Sequence, residues 1–210
     1  ILSGLVGSEM CIRDRGIAAL VGVPLGILAG MRRGTWVDAL VMRGADLLLA
    51  FPALLLAIIA GAVWGPSTLT AMVAIGIAGI PSFARVARSG TLQVITQDFI
   101  SSARISAVPG WKVALRHILP NLTGLLIVQA SVYFALAILA EAGLSYLGLG
   151  TAPPAASWGR MLQDSQSLLG TAPLQAFWPG LAIAATVLGF NLLGDALRDL
   201  LDPRLKGSAR

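Results

Sequence analysis

Residues 98–121 read DFISSARISAVPGWKVALRHILPN, a polar and basic stretch set between two long apolar runs. Asp98–Ala107 predicts a short helix with Asp98 as its N-cap, closed by Pro109-Gly110. Trp111–Leu119 predicts a second, amphipathic stretch. Trp111, Val113, Ala114, Leu115 and Ile118 are apolar there, while Lys112, Arg116 and His117 are polar. Pro120-Asn121 is expected to break that run before the next apolar segment. A compact helix–turn–helix in this position has two physical readings, equal on composition alone. It is a rigid rod along the membrane that passes a partner's push into the spans, or an amphipathic helix resting on headgroups.

Composition fixes the solvent. Of 210 residues, 56% are hydrophobic and 12% charged, with mean hydropathy +0.82. A soluble domain carries about 25% charged residues, so most of this chain faces lipid. The net charge of +5 would suggest nucleic acid in a soluble protein; its distribution here speaks for membrane orientation and against a nucleic-acid partner. The single Cys11 excludes an internal disulfide, and no Cys/His cluster is present to hold a metal or cofactor.

A membrane helix needs about 20 mainly apolar residues, and five candidate spans follow: Gly16–Gly30, Asp46–Trp64 with Pro52 inside it, Leu69–Phe83 with a kink at Pro81, Leu122 to about Leu147, and about Phe177 to Leu193. Near-continuous apolar runs read as helices, because barrel strands would alternate. The fold class expected is therefore all-α integral membrane.

The basic residues sort by loop. Twelve of the fifteen fall in 31–44, 84–117 and the segment after the last span, and the opposite loops hold only Arg160. By the positive-inside rule the basic loops and the C-terminus face the cytoplasm. Arg13 and Arg15 lie on the wrong side of this pattern. They belong to Gly4–Arg15, GLVGSEMCIRDR, which resembles a translated sequencing adapter; the alternative is a genuine polar N-terminal tail. Residues 1–15 are set aside from fold reasoning on either reading, and no cleavable signal peptide is found. The external loop Gly148–Ala176 is rich in Pro, Gly and Ser and long enough to be functional. It predicts a surface helix around Gly159–Leu169, with Trp158 and Trp178 as interfacial anchors.

The 98–121 stretch resembles the EAA loop of ABC-importer permeases. Their pattern is Glu-Ala-Ala, three residues, Gly, nine residues, Ile, one residue, Leu-Pro. On this chain it falls on Ser101, Ser102, Ala103, then Ala107, then His117, Leu119 and Pro120, with matches at Ala103, Leu119 and Pro120. Ser101 stands in place of the acid, Ser102 of an alanine and Ala107 of the glycine. Arg104 and the run Arg116–Asn121 are similar to the peptide/nickel (dipeptide/oligopeptide) subfamily. So are MRGADLLLAFP at 42–52, AEAGLSYLGLG at 140–150 with Ser157-Trp158-Gly159, and FNLLGDALRDLLDPRL at 190–205. The resemblance implies a type I importer-permease fold over residues 16–200, with a coupling loop at 98–120 and a cytosolic tail at 201–210. It implies six spans, one of them preceding Gly16. It also implies a multi-pass bacterial or archaeal cytoplasmic-membrane permease that is not itself an enzyme. Its partners would be two cytosolic ABC ATPase subunits, a homologous second permease and an extracytoplasmic substrate-binding protein. Ser101, Ser102, Ala103, Arg104, Ala107, His117, Leu119 and Pro120 would grip the ATPase. Peptides, a nickel complex or an opine are the solutes implied. An ATPase-independent channel or scaffold is the alternative, and it would need no such loop.

The other polar residues have plainer readings. Neither lysine, Lys112 or Lys206, follows a glycine, so no P-loop is present and energy must come from another subunit. Glu141 lies twenty residues past Asn121, about 30 Å along a helix, which places it near the external interface in a structural or gating role. Asp46 is expected to pair with Arg43 on one helix face. His117 has no carboxylate or Cys cluster nearby and is expected to contact the ATPase or membrane surface. Gly22, Gly26 and Gly30 repeat at the four-residue spacing used for close helix packing.

Overall fold

The computed structural model describes residues 6–65, 67–150 and 155–201, with backbone alone at 6–15, 68, 104 and 201. Among these residues all regular structure is helical. The tail basics Arg204, Lys206 and Arg210 lie outside the described residues. In chain order the helices are α1 Val6–Met31, α2 Trp36–Leu49, α3 Ala53–Trp64, α4 Thr68–Val94, α5 Asp98–Ile105, α6 Gly110–Val113, α7 Leu119–Tyr146, α8 Trp158–Ser165 and α9 Leu174–Leu201.

Each of the five apolar runs is helical, but they are not equivalent. Among the described residues three helices are long and apolar enough to cross a membrane, at Leu69–Val94, Gly110–Tyr146 and Leu174–Leu200, and the apolar part of α1, Gly16–Met31, is shorter. The run Asp46–Trp64, expected as one span, is instead broken. α2 and α3 meet at 80° and count as a single span only as a bent pair. Pro52 causes the break: it has no N–H to donate and disfavours helical backbone at Phe51. Pro81, by contrast, lies inside an unbroken α4.

α1 lies along α4, and the glycine repeat explains how. A Cβ at Gly22 would stand 2.6 Å from the Ile80 carbonyl oxygen, and one at Gly30 would stand 2.7 Å from Thr91 Cβ. At Gly26 it would run into the Ala84 carbonyl oxygen. Ala84, Ala87 and Thr91 on the facing stripe are themselves small and fully buried. The two backbones therefore touch, as a small-residue interface allows. α7 crosses α4 through Tyr133, whose ring packs edge-on to Phe83 and whose hydroxyl donates to the Ile75 carbonyl at 2.8 Å. α7 also packs on α9, with Phe134 and Phe190 stacked at 3.9 Å.

The helix expected within the 148–176 loop forms, as α8 followed by a 3₁₀ turn at Gln166–Leu168. Ser157 caps it by accepting the Arg160 N–H. Trp158 is not a free anchor: it packs with Ile138, Ala142 and Ile183 against the bundle, whereas Trp178 is exposed. Glu141 sits under this helix's end of the molecule and accepts from Ser145 Oγ at 2.6 Å.

Candidate functional site

The segment linking α4 to α7 is a folded cassette with an underside and an outer face. Asp98 is not the cap of α5. The Ile100 and Ser101 N–H groups donate to the Gln97 carbonyl, so Asp98 is already in the first turn. It still suits that place, because a carboxylate there complements the helix dipole. α5 ends at Ile105, before Pro109-Gly110. The stop is a turn in which Val108 N–H donates to the Ala103 carbonyl at 3.1 Å while Ala107 takes φ +54°. That is the Schellman arrangement, in which the residue just past the helix is left-handed and is most often glycine. The glycine of the importer pattern falls on this position. A left-handed alanine costs about 1–2 kcal/mol, partly offset by the greater freedom of an unfolded glycine. Ala107→Gly is expected to stabilise the cassette by about 0.5–1 kcal/mol, seen as slower amide exchange over 98–108, while a valine there should speed it.

The second half of the cassette does not break at Pro120-Asn121. Gly110 to Tyr146 is one helix of 37 residues, with a π turn at Ala114–Ile118. Leu119 N–H reaches back to the Ala114 carbonyl. A π turn has one residue more than an α turn, and it relaxes the ladder where Pro120 has no proton to donate. Asn121 Nδ2 then donates to the His117 carbonyl at 2.7 Å, which satisfies an acceptor beside the proline.

Underneath, Ile100, Ala103, Val113 and Ile118 are buried, and Val108, Ala114 and Leu119 pack beside them. They press on Leu122 and on the side chains of Met31, Val94 and Ile95 at the end of the bundle. Of the residues singled out from the sequence, Ala103 and Leu119 therefore serve this docking. Ser101, Ser102, Ala107 and Pro120 are exposed, and His117 is half-buried with its ring 6.2 Å from that of Phe99. Arg104 lies on α5, and its side chain is outside the described residues. Ser102 Oγ donates to the Asp98 carbonyl and Ser106 Oγ to the Ser102 carbonyl, so both hydroxyls bind back to their own helix.

Sequence reasoning gave two sets of residues no role, although it read Trp111, Val113, Leu115 and Ile118 as the apolar residues of an amphipathic stretch. The anchors Ile100, Val113 and Ile118 could have been found from their helical spacing with Ala103 and Ala114. The outer face is more apolar than a solvated loop needs: Ile105 is 86% exposed, and Trp111, Leu115 and Phe99 are exposed as well. Lys112 Nζ lies 5.4 Å from the Trp111 ring, within reach of cation–π attraction. Among the described residues no group of three His, Cys, Asp or Glu converges as a metal site would require. What the described residues of the cassette present is a surface.

The family model described as "binding-protein-dependent transport system inner membrane component" matches residues 22–207. The chain belongs to this family. The chain is 43% identical over 189 residues to the dipeptide transport system permease protein DppC of Alkalihalophilus pseudofirmus, covering 90% of this chain and 62% of that one. It is 44% identical over 190 residues to the glutathione transport system permease protein GsiD of Pectobacterium atrosepticum, covering 90% and 63%. The GsiD protein of Escherichia coli O6:K15:H31 is 46% identical over 206 residues, covering 97% and 68%. The chain thus spans 62% and 63% of the length of the first two relatives and 68% of the third. In structure it matches chains of the MetNI methionine ABC transporter in inward-facing conformations, with TM-scores of 0.75 and 0.78, 15% identity, and 96% and 95% of the two chains covered. The type I importer-permease fold read from the sequence is shown by these matches.

Proposed function

We propose that this permease chain forms part of the translocation path of a binding-protein-dependent ABC importer for peptides or a related small solute such as glutathione. It performs no covalent chemistry, and ATP hydrolysis belongs to partner ATPase subunits that dock on the cassette 98–120. A homologous second permease and an extracytoplasmic binding protein complete the assembly, and the C-terminus faces the cytoplasm.

The observation that carries this reading is the two-sided cassette. Its underside is welded to the bundle, so force applied outside is not lost in loop motion. Its outer face exposes Ile105, Trp111 and Leu115 beside Ser101, Ser102 and the basic Lys112 and Arg116. Apolar side chains rimmed by polar ones mark a protein contact. Resting on headgroups would call for one continuous amphipathic stripe, and here the apolar groups are split between α5 and the helix that starts at Gly110.

Ser102→Arg and Ile105→Glu change only exposed positions. Each is expected to lower co-purification of the ATPase subunits at least tenfold, with membrane insertion and thermal stability unchanged. Undiminished co-purification with both substitutions combined would remove the coupling role and leave the channel or scaffold reading in its place.

A further inference from the structure

α2 is attached to the rest of the molecule in an unusual way for a helix among apolar neighbours. Of its fourteen residues only Val37, Asp38 and Ala45 are buried. Trp36, Leu40 and Leu47 point away, each well over half exposed. What ties it down is charge. Asp38 accepts from Arg88 Nε at 2.7 Å and from the second guanidinium nitrogen at 2.8 Å, a bidentate pair across fifty residues of sequence. Asp38 Oδ2, which takes the second of these bonds, also accepts the Gly34 N–H at 3.1 Å, so one carboxylate joins the α1–α2 turn, α2 and α4. Two turns further on, Asp46 pairs with Arg85, not with Arg43 as local spacing suggested. The reason is direction: Arg85 and Arg88 stand on one stripe of α4, and α2 runs antiparallel to it. These are the cross-helix ion pairs among the described residues; the remaining one, Arg160–Asp164, lies within α8.

Both ends of α2 are turns rather than packed joints. Gly34 takes φ +76° at one end, and the 80° break at Pro52 lies at the other. Beyond that break α3 and α4 flank an apolar groove of about 740 Å³, which Leu48 of α2 also lines. The C-terminal half of α4, carrying both arginines, runs on through residues 95–97 into α5.

We propose that Asp38 and Arg88 are positioning residues that make α2 follow α4, so that displacement of the cassette reaches the bent α2–α3 arm and its groove. The delivery role rests on the docking of ATPase subunits proposed above; the tie between α2 and α4 does not. The ion pair acts as a clasp between two rods: bidentate geometry fixes the angle as well as the distance, which a few apolar contacts would not do.

Hydrogen–deuterium exchange of the full chain in lipid nanodiscs tests this. Asp38→Asn and Arg88→Gln are each expected to raise exchange over 36–49 at least tenfold, with the segments 69–84 and 122–146 unchanged. The double variant should be no worse than the worse single one, because both lose the same interaction. Should the single variants prove unstable, the exposed pair offers Asp46→Asn, expected to raise exchange over 36–49 two- to threefold. Unchanged exchange in α2, an equal rise in α4 and α7, or full additivity in the double variant would overturn the clasp. With ATPase subunits and a non-hydrolysable ATP analogue added, exchange over 36–49 should shift in the wild-type chain and not in Asp38→Asn. Association of the subunits without any shift in wild-type α2 overturns the delivery role alone. Failure of the subunits to associate overturns the docking reading and delivery with it, while the clasp stands or falls on the first measurement.

Discussion

Gly26→Leu leaves the chain unable to close α1 onto α4. Already at Gly26→Ala the added Cβ collides with the Ala84 carbonyl oxygen and comes within 2.8 Å of Ala87 Cβ. Neither neighbour can swing aside, since one is backbone and the other a methyl fixed to it. The helices must separate, and separation also strips contacts from Gly22 and Gly30 along the same stripe. Overpacking a tight interface costs about 1–3 kcal/mol; the alanine variant is expected in that range and the leucine variant beyond it. Thermal unfolding in detergent and the fraction of chain recovered from membranes read the loss. The control is built into the molecule: a methyl added at Gly44 or Gly189 would meet nothing within 4 Å, and alanine at either should be neutral or stabilise by up to about 1 kcal/mol through helix propensity.

Ala103→Glu releases the cassette from the bundle. Ala103 is buried beside Ile100, Val113 and Ile118, and a carboxylate placed there has no cation in the cluster to pair with. Burying an unpaired charge exceeds what a short helix gains by docking, so α5 should lift off rather than accept it. The penalty is about 3 kcal/mol or more if α5 stays docked, and release is the cheaper outcome. Proteolysis of the 95–109 segment in inside-out vesicles should accelerate at least tenfold, and ATPase association should fall with it. The contrast with Ser102→Arg separates the two faces. Substitution on the outer face should weaken the partner contact without loosening the loop, whereas substitution on the underside should do both. Equal protease resistance of Ala103→Glu and wild type would show that the underside contacts contribute little.

The parts of this fold that sequence made legible are those decided by neighbours in the chain. The apolar runs predict helices because burial in lipid leaves no other way to satisfy a backbone, and each of the five runs is helical. The cassette was legible for the same reason: polarity switches at Asp98 and back after Asn121. Prolines were harder. Pro52, Pro81 and Pro120 all sit in apolar or amphipathic helical context, yet the first breaks a helix, the second passes inside one, and the third passes with the help of a π turn. The residue alone does not say which, because the outcome depends on how the surrounding ladder adjusts; at Pro120 it shifts to a π turn, with the Leu119 N–H on the Ala114 carbonyl and Asn121 Nδ2 on that of His117. Long-range charge was not legible at all. Arg43 is the near partner for Asp46 by spacing, and only the antiparallel course of α2 and α4 brings Arg85 and Arg88 to Asp46 and Asp38. The left-handed turn at Ala107 lies between these cases. An alanine gives no local sign of it, and only the glycine of the importer pattern points there.

The unbroken helix from Gly110 to Tyr146 makes the cassette and the span a single lever. At 1.5 Å per residue its 37 residues extend about 55 Å, so a tilt of a few degrees at Trp111 becomes a travel of several ångströms at Tyr146. The π turn then acts as a phase setting on this shaft. One residue corresponds to about 100° of helical rotation, so the extra residue between Ala114 and Ile118 fixes which way Trp111 and Leu115 face relative to Tyr133, Phe134 and Glu141. A single deletion in that turn would keep the lever and its length but aim its handle elsewhere.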